Sequence, residues 1–506
     1  MKKLWIILLA LLLVMPMAFA KGESETSDDD DDAEKPVLHI LNHNVSANLA
    51  STVEYQVITE VSGYSVNYEI LPSEHASEIL MLNMSMENDY DCVVINNTSD
   101  FQTLMSAGAL LPLNEYIDKY APRLWNCVSK EAWQGVSDAE GNVYALPATS
   151  SIKQEINTNM TVRLDLAEKA GLGRELPKTL TEFYNYCKAL KDFYGSDYTI
   201  IAGPDNSAFS ISRCIMSAFG IYNDWMVDDN GKIIYMTEHP NFRAMIDFMY
   251  KLYSEGILDS DYAINTATST NSKFSSGKAI ICINGRGTIN PTTKALLKNV
   301  TSIGQDDLGF IPFLHSDNGD AKVMINEGYS VLTMIPRSNP KNAAHVIKYA
   351  LSKVENQELF FIGEEGVHFY YDEDGYPTPI QPAFTDERTK ANNFIMIKDE
   401  NEWTTQFYCR LRKDPMIWNM FKVCSIEINE NEPEVWVPAY FAFTTSEAYK
   451  LNNPNLRSSL NTYLIQLITG NKTIDGSMTD FIKDFNVSGG EQVRTELQAY
   501  YNETYR

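Results

Sequence analysis

Basic residues are scarce in this 506-residue chain: 41 Lys+Arg stand against 67 Asp+Glu, for a formal charge of −26. Binding nucleic acid through its backbone needs clustered Lys and Arg to displace counterions, so the balance argues against that class and against docking on anionic lipid. Cysteine is equally uninformative as a framework. The seven residues (Cys92, Cys127, Cys187, Cys214, Cys282, Cys409 and Cys424) are odd in number, dispersed and form no CxxC pair. Neither a disulfide scaffold nor a zinc site is indicated, and burial as small hydrophobes is the expectation. The seven histidines include no HExxH or comparable ligand pair, so no metal and no cofactor is expected. Beyond the first twenty residues no segment reaches the length and apolarity of a membrane span, which leads us to expect a soluble mature protein.

What is present is the composition of an ordinary folded protein, 44% hydrophobic and 21% charged. At roughly 100–200 residues per domain, the length suggests about two to four compact units. Lys2 and Lys3 precede an apolar run from Leu4 to Ala20 that ends in Ala18-Phe19-Ala20. A positive start, an apolar stretch and a small-x-small end describe a secretory signal peptide over residues 1–20. A membrane anchor fits less well, because the run contains Pro16 and is followed by acidic rather than basic residues. Residues 21–34 (KGESETSDDDDDAE) lack aromatics and carry the acidic run Asp28–Asp32. Such a segment cannot bury a core and reads as a flexible leader; consecutive aspartates also lack the ligand spacing of a calcium loop.

From Val37 the pattern alternates. Val37–Leu41 (VLHIL) reads as a buried strand and Leu49–Val61 as a helix stopped by Gly63. Ser65–Leu71 alternates as a strand, a helical segment follows around Ser77–Met84, and Asp91–Ile95 (DCVVI) is another apolar run. Strand-helix-strand-helix-strand implies a parallel sheet covered by helices, in an α/β fold. Ligands of such sheets bind beyond the carboxyl ends of the strands, which places His43, Asn44 and the Asn96–Ser99 loop at a candidate site.

Asp91–Leu113 (DCVVINNTSDFQTLMSAGALLPL) resembles the solute-binding proteins of bacterial carbohydrate ABC transporters, the family that includes maltose-binding protein. There an apolar strand, a polar loop, a helix and a small-Gly-x-Leu-x-Pro-Leu turn follow in this order. Four further stretches resemble the family in sequence: Gly141–Pro147 (GNVYALP), Leu176–Lys191 (LPKTLTEFYNYCKALK), Phe274–Gly285 (FSSGKAIICING) and Gly489–Tyr505. In the third of these five stretches Thr179 and Glu182 have the spacing of a capping box. The resemblance implies a two-lobe periplasmic-binding-protein fold (type II) with a hinge and a ligand cleft. Lobe 1 would take residues 35–150 and 283–354, and lobe 2 residues 151–282 and 355–506. Relatives often carry a lipobox cysteine after the signal; here Lys21 follows Ala20, so that position offers ordinary cleavage to a periplasmic or extracellular form.

The implied function is capture of a sugar or oligosaccharide and its delivery to ABC transporter permease subunits by a monomer, without catalysis. Sugar recognition uses aromatic faces against C–H surfaces and polar side chains against hydroxyls. By family position, Asn97 and Ser99 follow the third strand, Ser150 falls at the first crossover and Arg286 where the second crossing strand enters the cleft. Glu327 and Tyr329 precede the apolar run Ser330–Ile335, and Tyr222 and Trp225 offer an aromatic platform from the opposite lobe. Each has a structural alternative: Trp225 as packing, Arg286 as a partner for a carboxylate, His43 as a hydrogen-bonded loop residue. A secreted glycoside hydrolase, with Glu327 and Asp100 as its carboxylates, and a binding protein for a non-sugar solute stand as the competing functions.

Overall fold

A computed structural model describes residues 35–43, 48–86, 89–149, 152–203 and 213–506. The expected signal peptide and acidic leader, with Asn44 and Ser150, lie outside the described residues.

The amino-terminal alternation folds as its periodicity requires. Strands β1 (Leu38–Asn42), β2 (Val66–Ile70) and β3 (Cys92–Ile95) are joined by helices α1 (Val53–Ser62) and α2 (Ala76–Ser85). β1 pairs in parallel with β2 on one side and with β3 on the other, in registers that include Leu38↔Val66 and Ile40↔Cys92. Thr52 caps α1 by accepting from the Tyr55 amide, and Gly63 ends it at φ 69°, a left-handed conformation that costs glycine little. β3 is buried at every position, as a strand covered on both faces must be. Two later strands complete this sheet: β4 (Leu146–Thr149) and β9 (Tyr329–Met334), with β9 antiparallel to both β3 and β4.

A second, four-stranded sheet holds β5 (Thr158–Arg163), β6 (Thr199–Ala202), β7 (Ala279–Gly285) and β8 (Leu308–Ile311), in the order β8-β5-β7-β6. Helix α4 (Leu180–Tyr194) starts with the expected reciprocal cap: the Glu182 amide donates to Thr179 Oγ1, and the Thr179 amide donates to Glu182 Oε2 at 3.1 Å. The carboxyl-terminal helices α6 (Glu447–Ile468), α7 (Ile474–Val487) and α8 (Gly490–Tyr505) bury Leu460, Leu464, Phe485 and Leu497 in the core of this second sheet. All seven cysteines are buried.

The chain is divided between the sheets differently from the expected boundaries. β8, expected in lobe 1, is antiparallel to β5 of the second sheet, through Leu308↔Arg163 to Ile311↔Met160. The helix Arg286–Asn299 stays with it, because Ile289 and Leu296 bury against Phe274 and Phe310. Residues from Phe360 to Leu411, expected in lobe 2, instead join the core of the first sheet. Specific long-range bonds hold them there: Asn42 Nδ2 donates to Asn393 O at 2.9 Å, Thr333 Oγ1 to Met396 O at 3.0 Å and Lys353 Nζ to Phe394 O at 2.8 Å.

Candidate functional site

Three segments pass between the two sheets. One joins β4 to β5, a second joins β8 to β9, and the third leads from helix α5 (Glu400–Arg412) through Pro415–Asn431 to the second core. The second and third are tied by a short parallel pairing, Val323↔Trp436 and Met324↔Val437, extended by the Ile325 amide donating to Val437 O at 2.9 Å. The first and third are tied by Asn429 Nδ2 donating to Gln154 O at 3.2 Å.

A cavity of about 420 Å³ opens where these segments converge, lined among others by Thr149, Lys153, Asn326, Glu327, Glu400, Asn401, Thr404, Tyr408 and Phe443. That volume falls in the usual range for small-molecule sites. A smaller space of about 190 Å³ continues from it past Asn326 and Glu327 to Glu155, Ile156, Arg213 and Phe313. The walls mix hydroxyl, amide and carboxylate groups with aromatic rings, the combination that grips a polyhydroxylated ring on its edges and its faces.

Each wall is positioned by bonds to elements distant in sequence. Asp399 caps α5: its carboxylate accepts from the Asn401 amide at 3.0 Å and from Asn401 Nδ2 at 2.9 Å, while its own amide donates to Gln357 Oε1 at 2.7 Å. The Glu400 amide donates to Cys127 O at 2.9 Å, and its carboxylate accepts from the Thr149 hydroxyl at the end of β4. Along α5, Trp403, Phe407 and Leu411 point into the first core, so Glu400, Thr404 and Tyr408 share the neighbouring stripe that faces the cavity. The Tyr408 ring is half-buried, 5.8 Å from Trp418 and 5.6 Å from Phe421 between centroids. On the opposite side Glu327 Oε1 lies 3.2 Å from Lys153 Nζ. Gly328, at φ 138°, lets the backbone turn beside it in a conformation that a side chain would strain.

The residues singled out from sequence fall into two groups. Glu327 lines the cavity. Tyr329 sits just behind it: its hydroxyl donates to Ala132 O at 2.6 Å, its ring packs on Phe443, and burial holds its pKa well above the ordinary value. Arg286 opens the helix directly after β7.

The others do not line this cavity. Trp225 is not a platform: it is 1% exposed, donates its indole N–H to Asn453 Oδ1 at 2.9 Å and packs between Tyr235 and Phe485. The Tyr222 hydroxyl accepts from the Val227 amide at 3.0 Å. Asn97 caps helix α3 (Thr98–Ser106), its side-chain oxygen accepting from Ser99 N and Asp100 N, with Ser99 in the exposed first turn. His43 Nδ1 lies 3.1 Å from Val94 O, and burial lowers its pKa. Asp100 accepts from Ser77 Oγ at 2.8 Å. Glu400, Asn401 and Tyr408 were not singled out; the signal for Glu400 and Tyr408 is the four-residue spacing 400, 404, 408 beside an apolar stripe.

Another cavity, about 710 Å³, lies between Trp125, Trp133 and Asp138 on one side and Tyr500 and Glu503 of α8 on the other. No group of three or more His, Cys, Asp or Glu side chains among the described residues is arranged to hold a metal ion. No helix among them is long and apolar enough to cross a membrane.

Comparison with known proteins agrees with this architecture. A family model described as bacterial extracellular solute-binding protein matches residues 57–362. Lipoprotein LipO of Bacillus subtilis is 23% identical over 467 residues, covering 88% of this chain and 88% of that protein. Polygalacturonan/rhamnogalacturonan-binding protein YtcQ of the same organism is 22% identical over 423 residues, 81% of this chain and 79% of its own. Among solved structures, the Streptococcus pneumoniae ABC-transporter substrate-binding protein FusA in complex with kestose superposes with a TM-score of 0.68 at 17% identity. The superposition spans 92% of this chain and 98% of that one. At that identity the likeness establishes the fold, a two-lobe α/β solute-binding architecture, and leaves the ligand open.

Proposed function

Since the chain belongs to the bacterial extracellular solute-binding protein family, we propose that it captures a sugar or oligosaccharide in the cleft between its two sheets and presents it to an ABC importer. The observation that carries this reading is the 420 Å³ cavity at the crossing segments, where Thr149, Glu327, Glu400 and Asn401 converge beside Tyr408 and Phe443. Carboxylates and amides there accept from and donate to hydroxyls, while the rings cover C–H faces. The names of the relatives support the ligand class: FusA was solved with kestose, and YtcQ is named for binding polygalacturonan and rhamnogalacturonan.

The mechanism is hinge closure. A ligand bound to one lobe gains further hydrogen bonds from the other only when the cleft shuts, and this differential affinity shifts the open–closed population. In this reading the halves are the two sheets with their cores, bending at 152–157, at 312–328 and in the segment after α5. The chain acts without cleaving its ligand, as an exported monomer freed from residues 1–20 at the Ala20–Lys21 bond, and permease subunits recognise the closed form.

The test is calorimetry against an oligosaccharide panel, followed by small-angle scattering with the ligand that binds. Saturable binding with a smaller radius of gyration supports the proposal. Release of product sugars from the panel would favour the hydrolase instead, and binding with no compaction would refute hinge closure.

A further inference from the structure

Both acidic and neutral glycans are named among the proteins similar to this one, so the fold does not decide the ligand's charge. The cleft's own side chains do. In the inner cavity the carboxylates of Glu327 and Glu400 stand against one described cation, Lys153. That ammonium already lies 3.2 Å from Glu327 Oε1. The adjoining space adds Glu155 and Arg213, which leaves the excess negative. The larger cavity repeats the pattern, with Glu131, Asp138 and Glu503 against Lys130. A helix amino terminus normally favours anions, but α5 begins with Asp399, Glu400 and Glu402, whose charges offset its dipole.

We propose that the cleft selects uncharged oligosaccharides and rejects uronate-containing ones; this rests on the carbohydrate reading above. An ionised carboxylate only accepts hydrogen bonds, so Glu327 and Glu400 call for ligand donors, which sugar hydroxyls supply. A uronate brings another acceptor and a like charge, and within the inner cavity the cation it meets, Lys153, is already paired with Glu327; Arg213 stands in the adjoining space beside Glu155. Inside a partly desolvated cleft, repulsion from two carboxylates lowers affinity by about a hundredfold. The chain's overall charge of −26 slows the approach of a polyanion in the same sense.

The experiment is calorimetric titration of the signal-free chain with two panels of oligosaccharides. The neutral panel holds gluco-, manno-, xylo- and fructo-oligosaccharides; the acidic panel holds oligogalacturonates and oligomannuronates. The expected result is a neutral binder whose affinity changes less than about twofold between low and physiological salt. Uronates should bind about a hundredfold more weakly or not at all. Glu327→Gln and Glu400→Gln, which keep side-chain size, are each expected to narrow that gap by about tenfold, with melting curves confirming that both fold. A uronate bound within about tenfold of the best neutral sugar would overturn the selectivity while leaving the carbohydrate reading intact. So would a gap that neither variant changes. No binding from either panel would overturn the carbohydrate reading itself.

Discussion

Trp225 and Tyr408 are both large aromatics, yet the fold puts them in opposite settings. Trp225 lies on the hairpin Trp225–Tyr235 and is covered by α6 and α7, with Asn453 accepting its N–H. Tyr408 lies on a helix whose apolar stripe is already committed to the first core, so its ring stays half-exposed at the cavity wall. The difference teaches where this molecule leaves groups for a ligand. Side chains whose polar atoms are matched internally, such as Trp225, Asn97 and Lys353, hold the lobes together. The cavity-facing groups of α5, some of them also bonded internally, line the space where the three crossing segments converge.

The largest blow to that contrast is Trp225→Ala. Removing a buried indole costs about 3–5 kcal/mol of stability, read from urea unfolding, while affinity per folded molecule stays unchanged. Loss of binding without loss of stability would return Trp225 to the cleft.

Next in size is a pH effect on a buried group. Burial lowers the Lys353 pKa to about 7, with Nζ donating to Phe394 O. Between about pH 7 and the unfolded value near 10.5, the unfolded chain binds more protons, so stability from this group rises with pH; below pH 7 the whole cost of burying the charge is present. Wild type should therefore gain on Lys353→Met by about 2–3 kcal/mol between pH 7 and pH 9 in denaturant midpoints. Lys413 and Lys450, also lowered to about 8 by burial, titrate alike in both proteins and cancel in the difference. A difference that does not vary with pH would contradict the assignment.

Tyr408→Ala sharpens the other side of the comparison. It should weaken binding by about tenfold, or about 1.4 kcal/mol, by removing a stacking face, with a smaller loss of stability than at Trp225. Unaltered affinity in calorimetry would place the ligand elsewhere. The smallest effect is expected at Asn97, where Asn97→Ala removes a helix cap worth about 1 kcal/mol and leaves affinity within about twofold. A larger drop in affinity would show that the loop after β3 contacts ligand.

The parts legible in sequence are those set by short-range pattern. The apolar runs at Leu38–Leu41, broken only by His39, and at Cys92–Ile95 announce covered parallel strands, and Thr179 with Glu182 announces the start of α4. The division between lobes was not legible, because a strand such as β8 carries no mark of which sheet it joins; its pairing with β5 brings together the first and last strands of the second sheet in sequence. The burial of Trp225 was hidden for a related reason, since Asn453 and Phe485 reach it only after α6 and α7 dock. Glu327, which lines the cavity, stands out in sequence because it lies just ahead of an apolar strand. Glu400 was missed because its place depends on Cys127, Thr149 and, through Asp399, Gln357, all distant in sequence.

Thr404 gives the most direct test of the site's position, because it is exposed, lines the cavity and can be enlarged without disturbing a core. Thr404→Trp should abolish the calorimetric signal of whichever oligosaccharide binds wild type, while its melting curve overlays that of the parent. Undiminished binding by that variant would contradict the placement of the ligand between the crossing segments.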